Sequence, residues 1–511
     1  MKKRLPAKSF SANLLAFLFP LFFLLSFAAL PGHSQPRDPE YLTILHFNDL
    51  HGQLEPFGTE GEKRAAGAAR LATLIHGIRE ENVRLGRHTL LLVAGDLFLG
   101  SSLSALSRGE AELKILNRVH PDVFTLGNHE FDFGMGVLQE RVRDATFPVV
   151  SANIYYKGKE RLFPPVIFKD IGSFRVAILG LITPDTAQLA HPDSIAGITF
   201  SDPVAEANKL APDIRRRSDL FIALTHTGLE IDKRLAQEVP GLDVIIGGHD
   251  HIALQEPLKV GNVWIAQAQN RGLFLGRLDL KIEGNKAVKV GGALIPVTEE
   301  LAEDREIKEI ISSYRNKFEH KLKVVVGKTR VRLIGEPEKI RTLETNLGDL
   351  VADVMRKAAG TEISLVNGGS IRGSIEEGPV TLEDIWRVFP YDSQLARVEL
   401  TGSRIEEVLS HSVSLGPGLT GGFLQLSGLS FVIGPSGPED IRIQGSPLER
   451  DRYYSIAITD FMLAGGDGYG HFQKGRNQLL HPLLIRDLLL DYLKENKEIS
   501  PAAEGRIRRL P

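Results

Sequence analysis

Tyr41-Leu42-Thr43-Ile44-Leu45-His46-Phe47-Asn48-Asp49-Leu50-His51-Gly52 opens with a short apolar, partly β-branched run and closes on an Asp-x-His-Gly turn. Such a run reads as a buried strand, and its end carries two groups able to bind a metal. The same arrangement recurs along the first half. Asp96 follows Leu90-Leu91-Leu92-Val93, and His226 follows Leu220-Phe221-Ile222-Ala223-Leu224. His249 and His251 follow Val244-Ile245-Ile246, and Asn128 lies in Gly127-Asn128-His129-Glu130. Ligands on the ends of neighbouring parallel strands converge on one edge of a sheet, where open α/β folds place their sites.

Asp49, His51, Asp96, Asn128, His226, His249 and His251 are too many for one tetrahedral zinc, which takes about four ligands. Two cations sharing a carboxylate use them all. The donors are oxygen and imidazole only, because the chain has no Cys. That set suits Zn, Mn, Fe or Co, and affinity order alone does not choose among them.

These segments resemble the calcineurin-like metallophosphoesterases, and among them the 5′-nucleotidase family. The resemblance rests on Asn48-Asp49-Leu50-His51-Gly52, Gly95-Asp96, Gly127-Asn128-His129-Glu130-Phe131-Asp132-Phe133-Gly134, Thr225-His226 and Gly247-Gly248-His249-Asp250-His251. It implies that Asp49, His51, Asp96 and His251 bind one divalent metal ion and that Asp96, Asn128, His226 and His249 bind a second. Asp96 is then the bridge. Some nucleotidases carry an amide in place of His251. The resemblance also assigns His129 to the transition state, with Asp132 orienting its ring.

The second half extends the likeness through Glu344-Thr345-Asn346-Leu347-Gly348-Asp349, Asn367-Gly368-Gly369-Ser370-Ile371-Arg372 and Gly465-Gly466-Asp467-Gly468-Tyr469. By that resemblance Arg341 and Arg372 hold substrate phosphate, Asn367 lies beside the nucleoside, Tyr391 and Phe461 sandwich the base, and Asp467 accepts hydrogen bonds from the ribose. The chemistry is sound independently. Guanidinium forks match phosphate oxygens at any ordinary pH, and aromatic faces accept every base with little discrimination.

A chain of 511 residues, 42% hydrophobic and 24% charged, is globular by composition and long enough for two or three domains. Short apolar runs alternate with helical patterns, as at 64–84 and 205–217, from about residue 41 to 297, which predicts an α/β layered domain. Ile307, Ile310, Ile311, Tyr314, Phe318 and Leu322 recur at helical spacing. They mark either a linking helix or the last helix of the first domain. Helical patterns at 346–359 and 382–388 and a strand at 454–459 belong to a second unit. With the family's fold added, the expectation is an α/β protein: a four-layer α/β/β/α metallophosphoesterase domain at 40–300, a linking helix at 301–323, and a smaller α/β (α+β) nucleotide-binding domain at 324–511.

Lys2, Lys3, Arg4 and Lys8 precede an apolar stretch from Leu14 to Leu30, a signal-peptide pattern that assigns residues 1–34 to a leader. Cleavage after Ala28 or Ser34 fits small residues at the positions before them. A retained membrane anchor is the competing reading, and membrane attachment is expected only then. Export to a periplasm or the cell exterior agrees with a chain that forms no disulfide. The formal net charge of −3 disfavours duplex nucleic acid as a partner, which calls for a broad basic face.

Several motifs fail. Gly327-Lys328-Thr329 ends like a phosphate-binding loop, yet Leu322 stands where the first glycine belongs. No Gly-x-Ser-x-Gly elbow occurs, and a dinucleotide fingerprint at 465–470 lacks a following helix. His46, within a strand pattern, and His76, within a helical one, read as structural. The expected activity is hydrolysis of nucleoside 5′-monophosphates, extending to nucleoside di- and triphosphates or UDP-sugars. The rivals are a 2′,3′-cyclic-nucleotide phosphodiesterase with 3′-nucleotidase activity and a non-catalytic nucleotide receptor. Metals in one half and a base clamp in the other imply a cleft between domains, with the helix near 301–323 as its hinge.

Overall fold

The computed structural model describes residues 40–58, 65–283, 286–415 and 420–509. The leader pattern at 1–34 lies outside the described residues. Among the described residues, no helix is long and apolar enough to cross a membrane.

Period-two alternation builds the first domain. In the strand Glu40–Phe47, Leu42 and Ile44 face one side and Leu45 and Phe47 the other. The strand His88–Ala94 lies parallel to it, with Ile44 opposite Leu90, and divides its own apolar residues in the same way. Both faces are therefore covered. Val123–Thr125 and Val149–Val150 extend this sheet on one side, and the antiparallel pair Phe274–Glu283 and Lys286–Pro296 closes the other. A second six-stranded sheet centres on Leu220–His226, parallel to Phe174–Ile182 and Val244–Ile246.

Leu42, Ile44, Leu90 and Leu92 from the first sheet meet Ile178, Ile222, Leu224 and Ile246 from the second in one buried layer. The outer faces are covered by helices. Ala68–Arg84 places Leu71, Ala72 and Ile75 on the first sheet, and Pro203–Arg217 places Val204, Ala207 and Ile214 on the second. The expected four-layer α/β/β/α arrangement is thus present. One detail differs from expectation: the ligand-bearing strands belong to two stacked sheets, so their ends meet across the layer between the sheets, not along a single sheet edge.

Asp304 caps the helix Arg305–Leu322, its Oδ1 accepting from Ile307 N at 3.0 Å. Ile307, Ile311 and Tyr314 bury themselves in the first domain's core. From the same helix Arg315 forms an ion pair with Glu383 of the second domain and another with Glu55 at 3.2 Å. Ser102 Oγ also donates to Glu383, at 3.3 Å.

The second domain is built on a five-stranded mixed sheet in the order Leu424–Ser427, Ile363–Asn367, Tyr453–Thr459, Gln394–Thr401, Arg476–Leu484. Asn346–Ala359 and Ile485–Asn496 pack on one face, and Gly402–Ser414 on the other. The 346–359 helix has the ends its sequence announces: Thr345 caps it through Gly348 N at 3.1 Å, and Gly360 ends it at φ 62°. The protein is accordingly a two-domain α/β fold.

Candidate metal centre and substrate face

Asp49, His51, Asp96, His249 and His251 all hold positive φ, at 51°, 47°, 51°, 92° and 59°. L-residues rarely adopt that region, and such strain persists only where the surroundings impose it. Backbone bonds do so here. Asp49 N donates to Gly95 O and His51 N to Asp96 O, each at 3.0 Å, stitching the two strand ends together. Glu130 braces the next turn, its buried carboxylate accepting from Gly127 N at 2.6 Å, Leu97 N at 2.7 Å and Asp96 N at 2.9 Å. Gly127 is obligatory at that turn. A Cβ there would lie 2.2 Å from Asp96 Oδ1.

These bonds aim the side chains into one space. His226 Nε2 stands 3.2 Å from Asp96 Oδ2, and His251 Nε2 stands 3.4 Å from Asp49 Oδ1. His51 Nε2 and His251 Nε2 approach to 3.0 Å, and His249 Nδ1 lies 3.1 Å from Asn128 Oδ1. All seven sequence-predicted metal ligands are therefore brought together. Asp49-His51-His251, Asp49-Asp96-His226 and His51-Asp96-His129 each form a trio whose donor atoms lie within 4.8 Å of one another.

The donor chemistry fits divalent metal ions. Asp49 Oδ1 and His226 Nε2 are buried without a hydrogen-bond partner, an arrangement that is costly unless a cation completes it. His226 Nδ1 donates to Ala94 O at 2.8 Å, which leaves Nε2 as the inward-facing donor atom. Burial works against charging His226, yet the carboxylates of Asp96 and Asp49 outweigh it and push its pKa up to about 10. Burial and then the neighbouring His226 hold His249 down at about 4. The carboxylates of Asp96 and Asp49 thus favour positive charge at the inward edge of His226, as a cation site requires.

His129 and Asp132 lie beside this cluster. His129 Nδ1 is 2.5 Å from Asp132 Oδ2, and Nε2 is 4.0 Å from Asp96 Oδ2. Burial opposes protonation of His129, but Asp132 and Asp96 prevail and raise its pKa.

The second domain presents its predicted residues to the same space. Arg372 is close enough to His51 and His129 to disfavour their charged forms. Arg341 is held down at about 10, by burial first and then by Arg372. Burial raises the Tyr391 hydroxyl, and Asp132 of the first domain adds to the effect. Tyr391 also packs on the first domain's core. Asn367 Nδ2 donates to Asp467 Oδ2 at 2.6 Å, and Phe461 lies against Gly466, the residue before Asp467.

Supporting groups absent from the sequence reading include Arg486, which donates to Phe389 O and Tyr391 O and fixes the Tyr391 loop. His411 Nε2 donates to Asp467 O at 2.9 Å. Asn48 and Glu130 were visible as members of the motifs, but their bracing roles depend on bonds to segments far along the chain. His46 is buried on its strand with its pKa down at about 4 through burial, and His76 pairs with Asp304 at 3.4 Å, both outside the centre.

The chain matches known proteins along both halves. Residues 42–253 match the calcineurin-like phosphoesterase family, and residues 325–474 match the 5′-nucleotidase C-terminal domain. Protein UshA of Yersinia enterocolitica is 30% identical, covering 91% of this chain and 92% of its own. A 5′-nucleotidase of Vibrio cholerae is 30% identical over 93% of this chain and 95% of its own. The crystal structure of a 5′-nucleotidase precursor from Thermus thermophilus superposes with a TM-score of 0.84 at 31% identity, covering 92% of this chain and 99% of that one. With both domains matched in order and relatives aligned over nearly their full length, the chain belongs to the 5′-nucleotidase family of metal-dependent phosphoric monoester hydrolases.

Proposed function

We propose that the protein is an exported 5′-nucleotidase, periplasmic or extracellular, releasing phosphate from nucleoside 5′-monophosphates and also acting on UDP-sugars and nucleoside di- and triphosphates. In this reading residues 1–34 are a removable leader, 40–300 carry the metals, 301–323 link, and 324–511 bind the nucleotide. The observation that carries it is the gathering of the Asp49, His51, Asp96, His226 and His251 donor atoms into one cluster, with Tyr391 of the second domain packed against the first domain's core. The names of the Vibrio cholerae and Thermus thermophilus relatives support the substrate class.

Asp49, His51, Asp96 and His251 would hold one divalent ion, and Asp96, Asn128, His226 and His249 the other. Zinc, manganese, cobalt and iron all suit these donors. Such ions would supply charge neutralisation at phosphoryl oxygens and a lowered pKa for a nearby water. The chain's own groups do the rest. Asp132 accepts from His129 Nδ1 and orients the ring, and a proton on Nε2 would be donated to the phosphoryl or leaving oxygen. Arg341 and Arg372 bind phosphate oxygens in two-point contacts. Tyr391 and Phe461 stack on the base, while Asn367 orients the Asp467 carboxylate toward the ribose.

The test is phosphate release by the purified full chain with added manganese, on AMP beside 3′-AMP, 2′,3′-cyclic AMP and UDP-glucose. Turnover of AMP with little release from the 3′ and cyclic nucleotides is the expected result. A preference for those two would instead make the protein a cyclic phosphodiesterase, and binding without turnover would make it a receptor.

A further inference from the structure

The strand Val263–Ala266 runs parallel to Val244–Ile246, and the chain beyond it stays beside the segment that carries His249 and His251. Gly247 N donates to Ala266 O at 2.9 Å as that segment begins, and Leu254 N donates to Gln267 O at 3.3 Å where it ends. Between these two bonds the backbone passes through positive φ at His249 and again at His251. A backbone so strained keeps its course only where neighbouring groups hold it. The first sheet supplies one constraint: a Cβ on Gly248 would meet Ala94 O at 2.5 Å.

The Gln267 side chain, 1% exposed, supplies three more. Its Oε1 accepts from Ile252 N at 2.6 Å, and its Nε2 donates to Gly248 O at 3.0 Å and to Asp250 Oδ1 at 2.6 Å. These contacts fall just before His249, between the two histidines, and just after His251. They also fix which way the amide faces, because a flipped group would set N–H against N–H and oxygen against two oxygens. Leucine of similar size offers none of these contacts, and glutamate offers no donor. Asp250 passes the constraint on, its Oδ2 accepting from Leu229 N at 2.7 Å, while Gly228 N donates to the same Gly248 O at 3.1 Å. The turn after His226 is thereby tied to the same amide.

We propose that Gln267 is a positioning residue of the metal centre, whose amide sets the turn from Gly248 to Ile252 so that His249 and His251 reach their ions at a fixed separation. The proposal rests on the paired-ion reading above, in which this turn gives one imidazole to each ion. Outer groups that hold metal ligands in place change affinity about ten- to hundred-fold when removed. A residue that merely stabilised the sheet would alter unfolding and leave the metal affinity of the folded chain alone.

The test is calorimetric titration of manganese into the metal-free full chain, beside its circular-dichroism spectrum and AMP turnover, for the wild type, Gln267→Glu, Asp250→Asn and the two substitutions combined. Gln267→Glu sets a carboxylate against Gly248 O and Asp250, and Asp250→Asn sets an amide N–H against Gln267 Nε2. Each alone should weaken both manganese ions about ten- to hundred-fold. In the combined variant the new amide donates to the new carboxylate, and manganese should bind at least about five-fold tighter than in either single variant. Unchanged affinity in a folded Gln267→Glu, weakening of one ion only, or a combined variant no tighter than the single ones would overturn the proposal. So would a combined variant that fails to fold, which would make the amide a bond of the sheet. Failure of the nucleotidase reading itself would look different: a wild type that takes up fewer than two manganese ions, or binds two and releases no phosphate from AMP.

Discussion

Asp132 Oδ2 lies 2.5 Å from His129 Nδ1, three residues apart on a turn that opens at Asn128. His129 also belongs to one of the three donor trios, with His51 and Asp96, and the proposed reading gives it to proton donation while the seven other residues hold the metals. His129→Ala should therefore bind metal normally and lose about 10²- to 10⁴-fold in kcat, the usual worth of a positioned proton donor. Asp132→Asn should fall between that variant and the wild type. Metal analysis beside AMP turnover checks both, and parallel loss of metal and activity would show His129 to be part of the metal cage.

Gly466 touches Phe461, one side of the proposed base clamp. A Cβ there would stand 2.3–2.5 Å from three atoms of the Phe461 ring, closer than any ring tolerates. Gly466→Ala should displace the ring and raise KM for AMP about ten-fold or more, because stacking on one aromatic contributes roughly 1–3 kcal/mol per base. The hydrolysis of p-nitrophenyl phosphate, which has no base to clamp, should change little. Equal impairment of both substrates would argue that Gly466 maintains the domain rather than the clamp.

Much of this arrangement was legible because each ligand ends an apolar run: Asp49 after Tyr41–Leu45, Asp96 after Leu90–Val93, His226 after Leu220–Leu224. The unbroken apolar character of those runs also marked buried strands, and the helical pattern at 346–359 has the bounds of the observed helix. The stacking of two separate sheets came only from the family resemblance, since strand patterns do not state which strands pair. The positive φ of Asp49 and His51 left no trace either, because neither residue is the glycine that usually announces it.

Glu112, whose Oε1 lies against Gly52 beneath the Asp-x-His-Gly turn, predicts a pH dependence of stability. Its carboxyl is fully buried, and burial raises its pKa from 4.5 to about 7 against the opposing influence of the Ser104 and Ser107 hydroxyls and Arg141. The folded state then binds a proton that the unfolded state releases, so the stabilisation is complete below about pH 4.5 and is lost as pH rises through 7. A shift of that size corresponds to something on the order of 3 kcal/mol. Glu112→Gln should unfold near the wild-type temperature at pH 5 and several degrees above it at pH 8. Identical differences at the two pH values would refute the assignment of this group.

Anomalous diffraction from crystals grown in excess manganese tests the central claim most directly. The account predicts two manganese peaks flanking the Asp96 carboxylate, one among Asp49, His51 and His251 and one among Asn128, His226 and His249, and in Asp96→Ala crystals a weakening of both. A single peak, or peaks that leave Asp96 uncoordinated, would contradict it.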